Sequence, residues 1–332
     1  MGADDVPAAP IALPLVTMLL LGYQQQASIG AAIVGALNQT YANLEIVISD
    51  DASSDATFAA MQAAVADYRG PHRVILNCNP LNLGIGAHIN RMVGLSHGEL
   101  LFIAAGDDVS LPQRCARVVD AWLASNRQLD LIAAHLVDMD AHGALHAPLV
   151  PTDLSTYRDA ADWLARPPYV IGAAQAWTRR VYDRFGPLPE ATMGEDMLMV
   201  FRAILAGGAV TLPEVLVHYG RGGISRRRRT LSADDVTQRL SKNNRSALVE
   251  LPQLLADAQA AGQLDAVREV LTQRLAREHF IRDIFAAPDA ITRTRLALRA
   301  SEVAPAVRAR LWVYAVAPWL LAPLFAMKRM RS

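Results

Sequence analysis

The feature that most constrains this chain is an alternation. From Pro14 onward, short apolar runs trade places with helical patterns, and several of the runs end at carboxylates. PLVTMLLL (14–21), NLEIVISD (43–50), HRVILN (72–77), GELLFIAA (98–105) and LDLIAAHLVD (129–138) have the length and the Val, Ile and Leu content of buried strands. Between them lie SIGAAIVGALNQT, a segment from Ser53, Ser54 and Asp55 through Ala66, IGAHINRMVGL, and a segment opened by Leu111-Pro112. Each has helical character, and N-cap residues or a first-turn proline mark two of the starts. This order predicts an α/β fold: a mostly parallel sheet, Rossmann-like, sandwiched by helices. Ligands of such sheets gather beyond the carboxyl ends of the strands. Asp50-Asp51, the loop from Asn79 to Gly86 and Asp107-Asp108 are therefore expected to share one crevice.

Further along, residues 139–193 are rich in proline and aromatics and read as irregular. Glu195-Asp196 opens a strong helix, EDMLMVFRAILAGG, and a strand, AVTLPEVLVHYG, follows it. RGGISRRRR (221–229) reads as a loop, and beyond Leu231 the pattern is helical to the end. The last apolar run, Leu311 to Met327, carries Pro318 and Pro323 and is flanked by Arg308, Arg310, Lys328, Arg329 and Arg331. A spanning helix needs about 20 residues. The run is better suited to an interfacial anchor with Trp312 and Trp319 near lipid headgroups; packing on the protein's own core is the competing reading.

The 332 residues hold 32 Lys plus Arg and 32 Asp plus Glu, which argues against a generic nucleic-acid binder. The balance is a sum of unlike parts: 12 Arg and 22 acids up to Gly220, 20 Lys plus Arg and 10 acids after it. Only Lys242 and Lys328 are lysines, so the cationic part is almost wholly guanidinium, suited to phosphate and carboxylate. Cys78 and Cys115 form no CxxC pair, which speaks against a disulfide scaffold or a zinc site and fits a reducing compartment. Asp4 and Asp5 stand where a signal peptide carries positive charge, and Val6 breaks the myristoylation pattern after Gly2.

Adjacent carboxylates at the end of a buried strand repel each other unless a cation or a donor-rich ligand compensates them. Asp107-Asp108 is such a pair, and a hard divalent cation, Mg²⁺ or Mn²⁺, completed by substrate phosphates would serve. Glu195-Asp196 offers a carboxylate at a helix start, where the dipole favours the ionised form that a general base needs.

Taken in order, the segment from Pro14 to Thr57, with its QTY, EIVISDD and SSD elements, then NLGIGAHIN, GDD (106–108) and GED (194–196), closely resembles the family 2 glycosyltransferases of the GT-A fold. The resemblance covers residues 14–225. It implies a GT-A nucleotide-sugar-binding catalytic domain over 1–225 and a helical C-terminal region over 226–332, with a membrane-associating tail at 311–331. By the same resemblance Leu21 and Tyr23 lie beside the donor nucleotide, with Gln24 in place of the usual asparagine. Asp51 accepts from the base, Asn82, Gly84 and Asn90 form the loop that approaches the nucleoside, and Asp107 lies towards the ribose. Asp108 holds the metal together with His218, while Arg221 and Ser225 reach the diphosphate. The carboxylate that many relatives carry two positions before Asp107 is Ala105 here. Asp196 is the base and Glu195 its fallback.

The implied activity is inverting transfer of a sugar from a UDP- or dTDP-type donor to a carbohydrate or lipid-linked acceptor, in cell-surface polysaccharide biosynthesis. The implied setting is cytoplasmic, peripheral on the inner face of the membrane. Two alternatives are a catalytically inactive nucleotide-binding or membrane scaffold of the same fold, and a sugar nucleotidyltransferase. The second expects a basic, glycine-rich phosphate loop after the first strand, which LGYQQQASIG matches poorly.

Overall fold

A computed structural model describes residues 13–220, 232–321 and 325. Its first half realises the alternation: β1 (Val16–Gly22), α1 (Ile29–Leu37), β2 (Leu44–Asp50), α2 (Thr57–Val65), β3 (Arg73–Cys78), α3 (Ile85–Leu95) and β4 (Leu100–Ala105). There follow β5 (Val109–Ser110), α4 (Arg114–Ala124), β6 (Leu131–Met139), β7 (Leu145–Leu149), α5 (Ala160–Ala165), β8 (Ala176–Thr178) and α6 (Arg179–Phe185). Then come α7 (Glu195–Leu205), β9 (Ala209–Gly220), α8 (Ala233–Ala260), α9 (Leu264–Ala286), α10 (Ala290–Arg299) and α11 (Pro305–Val316).

One sheet runs β3-β2-β1-β4-β8-β6-β9-β5, with β7 on the flank of β6. The long ladders, β1 with β2 and β4, β2 with β3, and β6 with β9, are parallel; the short ones made by β5, β7 and β8 are antiparallel. Strand side chains alternate between two covered faces. Val16, Met18 and Leu20 pack with α1, α2 and α4, and Leu19 packs with α3 and α7 on the other side.

The sequence pattern misplaces a few details for physical reasons. The N-cap of α2 is Ala56, which has no capping side chain; Asp55, one residue earlier, accepts from Thr57 N at 3.0 Å, while Ser53 spends its hydroxyl on Asp50. Pro112 precedes α4 instead of opening it, and its carbonyl accepts from Thr40 N at 2.9 Å. The Gln39-Thr40-Tyr41 element is scaffold: Gln39 bonds Gly35 O, Leu111 O and Cys115 N, and Tyr41 bonds Pro14 O. Pro213 is tolerated inside β9 because the ladder to β6 slips there, between Ala134↔Leu212 and His135↔Val215. The stretch read as irregular holds β7, α5, β8 and α6 as short pieces.

The expected division after residue 225 falls outside the described residues. Beyond it, Leu251, Leu254 and Ala258 of α8 and Val267 and Leu271 of α9 share one core with Leu198, Phe201 and Leu205 of α7. A separate cluster joins Ile281 and Ile284 of α9 to Val303 and Leu311, with Trp312 packed against it. Trp312 donates to Thr294 Oγ1 at 2.9 Å, so this end of the apolar run is spent on α10, whereas Trp319 is 66% and Leu320 61% exposed. Among the described residues no helix is long and apolar enough to cross a membrane.

Candidate active site

Register decides what meets at the carboxyl edge of the sheet. Gly22 lies opposite Asp50 and Leu21 opposite Ala105, so the segments after β1, β2 and β4 leave the sheet side by side. Tyr23 is half exposed at that edge, and Gln24 holds a left-handed φ of 55°. Asparagine is the favoured side-chain-bearing residue in that conformation. Here Gln24 bonds Ser53 and Ser54 instead, and Gln25 reaches Asp107 Oδ1 at 3.0 Å.

Asp51 is buried and organises the loop after β3. Its Oδ1 accepts from Asn79 Nδ2 at 2.8 Å and Leu83 N at 2.9 Å, and its Oδ2 accepts from Gly84 N at 2.9 Å. Asn82 donates to the Asp51 carbonyl. A carboxylate offers about four acceptor directions, so one remains at Oδ2. Gly84 takes φ 77° at the start of α3, a conformation that glycine adopts without a Cβ penalty. Beneath, His88 shares a hydrogen bond with Ser49 Oγ, and burial holds its imidazole below the usual range against the pull of Asp51 and Asp50. Asn90 faces elsewhere: its amide binds Leu188 N, Leu188 O and Tyr182 OH, tying α3 to the loop after α6.

The Asp107-Asp108 pair sits on a tight turn. Asp108 Oδ1 accepts from Gly220 N at 2.7 Å, while its buried Oδ2 has no partner among the described residues. Burial and the charge of Asp107 push Asp108 up to about 8. Burial also raises Asp107, against its bond to Gln25. Gly220 has no room for a side chain, since a Cβ there would meet Asp107 O at 2.0 Å. Arg114, fully buried on α4, donates to Ser110 Oγ, Ile103 O and Gln175 O behind this turn; burial pulls it down to about 10, against the fields of Cys115 and Asp108. His218 pairs across the ladder with Val109, the residue after Asp108. Arg221 and Ser225 lie outside the described residues.

A buried, unpartnered acceptor beside a second carboxylate fits a hard divalent cation. Among the described residues no three His, Cys, Asp or Glu side chains converge on a metal position.

Glu195 and Asp196 begin α7. Asp196 Oδ1 accepts from Met197 N at 2.7 Å, and Gln175 Nε2 donates to the Asp196 carbonyl. Gln175 thus touches both Asp196 and Arg114. The helix dipole alone predicts a lowered Asp196, but the structure reverses the sign. Burial raises it, outweighing the N–H groups of Met197, Asp196 and Gly172. Glu195 is pushed up to about 8 by burial, then by Asp196 and Glu250. Gln25, Arg114, Gln175 and Glu250 escaped the sequence reading, and Asn79 entered it only as the start of a loop, without its partner. Each earns its place through a contact at least 28 residues away in sequence, as in Asn79 to Asp51, and no local pattern marks such contacts.

A sheet of this topology with carboxylate pairs at its edge defines a GT-A fold. Over 90% of this chain and 87% of the other, it is similar to S. aureus TarS 1-349 in complex with UDP-GlcNAc, with a TM-score of 0.53 and 16% identity. Over 96% and 89% it is similar to the mannosyltransferase PcManGT from Pyrobaculum calidifontis in complex with GDP-Man and Mn²⁺, with a TM-score of 0.53 and 17% identity. Residues 22–170, a little under half of the chain, match the family described as Glycosyl transferase family 2. The putative glycosyltransferase EpsE of Bacillus subtilis is 27% identical over 139 residues, 42% of this chain and 49% of that one. The succinoglycan biosynthesis protein ExoO of Rhizobium meliloti is 31% identical over 134 residues, 40% of this chain and 37% of that one. The matches span less than half the length of these two relatives.

Proposed function

We propose that the chain transfers a sugar, with inversion, from a UDP- or dTDP-type donor to a hydroxyl of a carbohydrate or lipid-linked acceptor in surface-polysaccharide synthesis. The observation that carries this reading is the buried Oδ2 of Asp108, unpartnered among the described residues, at the same sheet edge as Asp51. The UDP-GlcNAc bound by TarS supports a UDP-type donor, the GDP-Man and Mn²⁺ bound by PcManGT support a nucleotide-sugar donor with a divalent cation, and the printed role of ExoO supports the polysaccharide setting.

In this reading the base of the nucleotide lies against Leu21 and Tyr23 and gives its N–H to the remaining acceptor direction of Asp51. Asn82 and Gly84 hold Asp51 in place through the loop, and Asn90 acts through its bonds to Leu188. Asp107 offers the oxygen not taken by Gln25 to the ribose. Asp108 would hold Mn²⁺ or Mg²⁺ with the diphosphate, His218 beside it and Arg221 and Ser225 on the phosphates. A divalent cation supplies Lewis-acid neutralisation of a leaving diphosphate. Asp196 takes the proton of the acceptor hydroxyl as the new glycosidic bond forms and the bond from the anomeric carbon to the diphosphate breaks on the opposite face of the sugar. A pKa raised by burial suits this role, because a base works best near the ambient pH. Exposed Trp319 and Leu320 support peripheral contact of the 311–331 tail with the inner face of the cytoplasmic membrane.

The test incubates the full chain with UDP-, dTDP- and GDP-sugars and identifies the small product. Release of nucleoside diphosphate supports transfer, pyrophosphate points to a nucleotidyltransferase, and no turnover with intact donor binding points to a scaffold. Asp196→Asn should abolish turnover and spare donor binding; normal turnover would sink the assignment of the base.

A further inference from the structure

The N-cap of α7 is Gly194, which has no side chain to accept from the free amides of the first turn. Another helix supplies the acceptor. Glu250 of α8 takes hydrogen bonds through Oε1 from Gly194 N at 2.8 Å and Met193 N at 3.3 Å. A Cβ at position 194 would meet the Glu250 carboxylate at 3.2 Å, so the glutamate sits close against the bare cap. Seven residues on, on the same face of α8, Asp257 takes a hydrogen bond from the fully buried Arg202 of α7 at 2.7 Å. The C-terminal helix therefore grips the Asp196 helix near both ends, and its first grip falls on the turn that carries Glu195 and Asp196.

We propose that Glu250 is a positioning residue for the transfer reaction, holding the 193–196 turn from the C-terminal helix so that Asp196 meets the acceptor hydroxyl, and keeping a negative charge beside it. This rests on the reading of Asp196 as the base. The charged groups that face Glu195 are Asp196 on its own helix and Glu250 on α8, and the segment at Gly172 packs against it with backbone. Burial raises Glu250 itself, against its two N–H bonds.

Two substitutions separate the two roles. Glu250→Gln keeps an acceptor oxygen for the amides and loses the charge, whereas Glu250→Ala loses both. With UDP-N-acetylglucosamine or GDP-mannose, whichever the wild-type chain turns over faster, Glu250→Ala should lower kcat by about 10- to 100-fold, the scale of a small misplacement. The donor KM should stay within about twofold, because no donor contact is lost. Amide exchange at Gly194 should accelerate. Glu250→Gln should keep most of kcat and move the acid limb of the pH profile to lower pH, because one negative charge beside the Glu195-Asp196 pair is gone. A merely structural glutamate would lower the unfolding midpoint and leave that limb in place. Wild-type kcat and an unmoved limb in Glu250→Ala overturn the proposal; if that variant does not fold, an unmoved limb in Glu250→Gln overturns it. An active Asp196→Asn instead brings down the assignment of the base, whatever the Glu250 variants show.

Discussion

Arg202 of α7 and Asp257 of α8 form an ion pair with both side chains essentially sealed from solvent, Nε to Oδ2 at 2.7 Å. Asp257 also accepts from Gln253, and Arg202 from its other side donates to Gly186 O. The pair makes the C-terminal helices part of the fold that presents the site. Replacing one partner leaves the other charge buried and unpaired, which costs about 3–5 kcal/mol. Asp257→Ala should lose that much stability in urea unfolding, with a matching loss of active protein.

Asp108 carries the strongest link between stability and the proposed metal. A cation that binds only the folded protein raises its unfolding midpoint. Mn²⁺ or Mg²⁺ should therefore raise the midpoint of the wild-type chain, and Asp108→Asn should abolish both that rise and turnover. An equal rise in the variant would remove Asp108 from the metal site.

Glu195 sets a pH dependence whose sign can be worked out. Its carboxyl lies at about 8 in the folded protein against 4.5 ordinarily, so the folded state binds more protons than the unfolded one between those values. Stability from this group is present below pH 4.5 and falls as pH rises towards about 8. Glu195→Gln should leave the unfolding midpoint unchanged at pH 4 and raise it at pH 8, as scanning calorimetry at the two pH values would show.

Gly220 admits no side chain against Asp107 O, and its N–H holds Asp108. Gly220→Ala forces either β9 or the 106–108 turn to move, an overpacking cost of about 1–3 kcal/mol. Turnover should fall further than stability, because the displaced atoms include the donor to Asp108. Paired measurements of the unfolding midpoint and kcat check the ratio.

Much of this was readable in the sequence. The alternation of β1 to β4 with α1 to α3 follows from apolar periodicity, since a strand covered on both faces must be apolar nearly throughout. Acids at the ends of those strands stood out because adjacent carboxylates beside a buried strand repel each other unless a cation or a donor-rich ligand compensates them. Short antiparallel β5, β7 and β8 gave no signal, as two to five residues cannot express a period. The sign of the Asp196 shift was also hidden: the dipole is a local property of its helix, but burial depends on what packs over it.

By itself, then, the sequence determined the α/β order, the carboxylate pairs and the apolar faces, because these rest on contacts between near neighbours in the chain. Only the tertiary structure decided that Asp51 is held by the loop after β3, that Gly220 closes on Asp108, and that Glu250 and Asp257 of a distant helix fix the one that begins at Glu195. Hydrogen bonds and desolvation act through space, and neither leaves a mark on the spacing of residues along the chain.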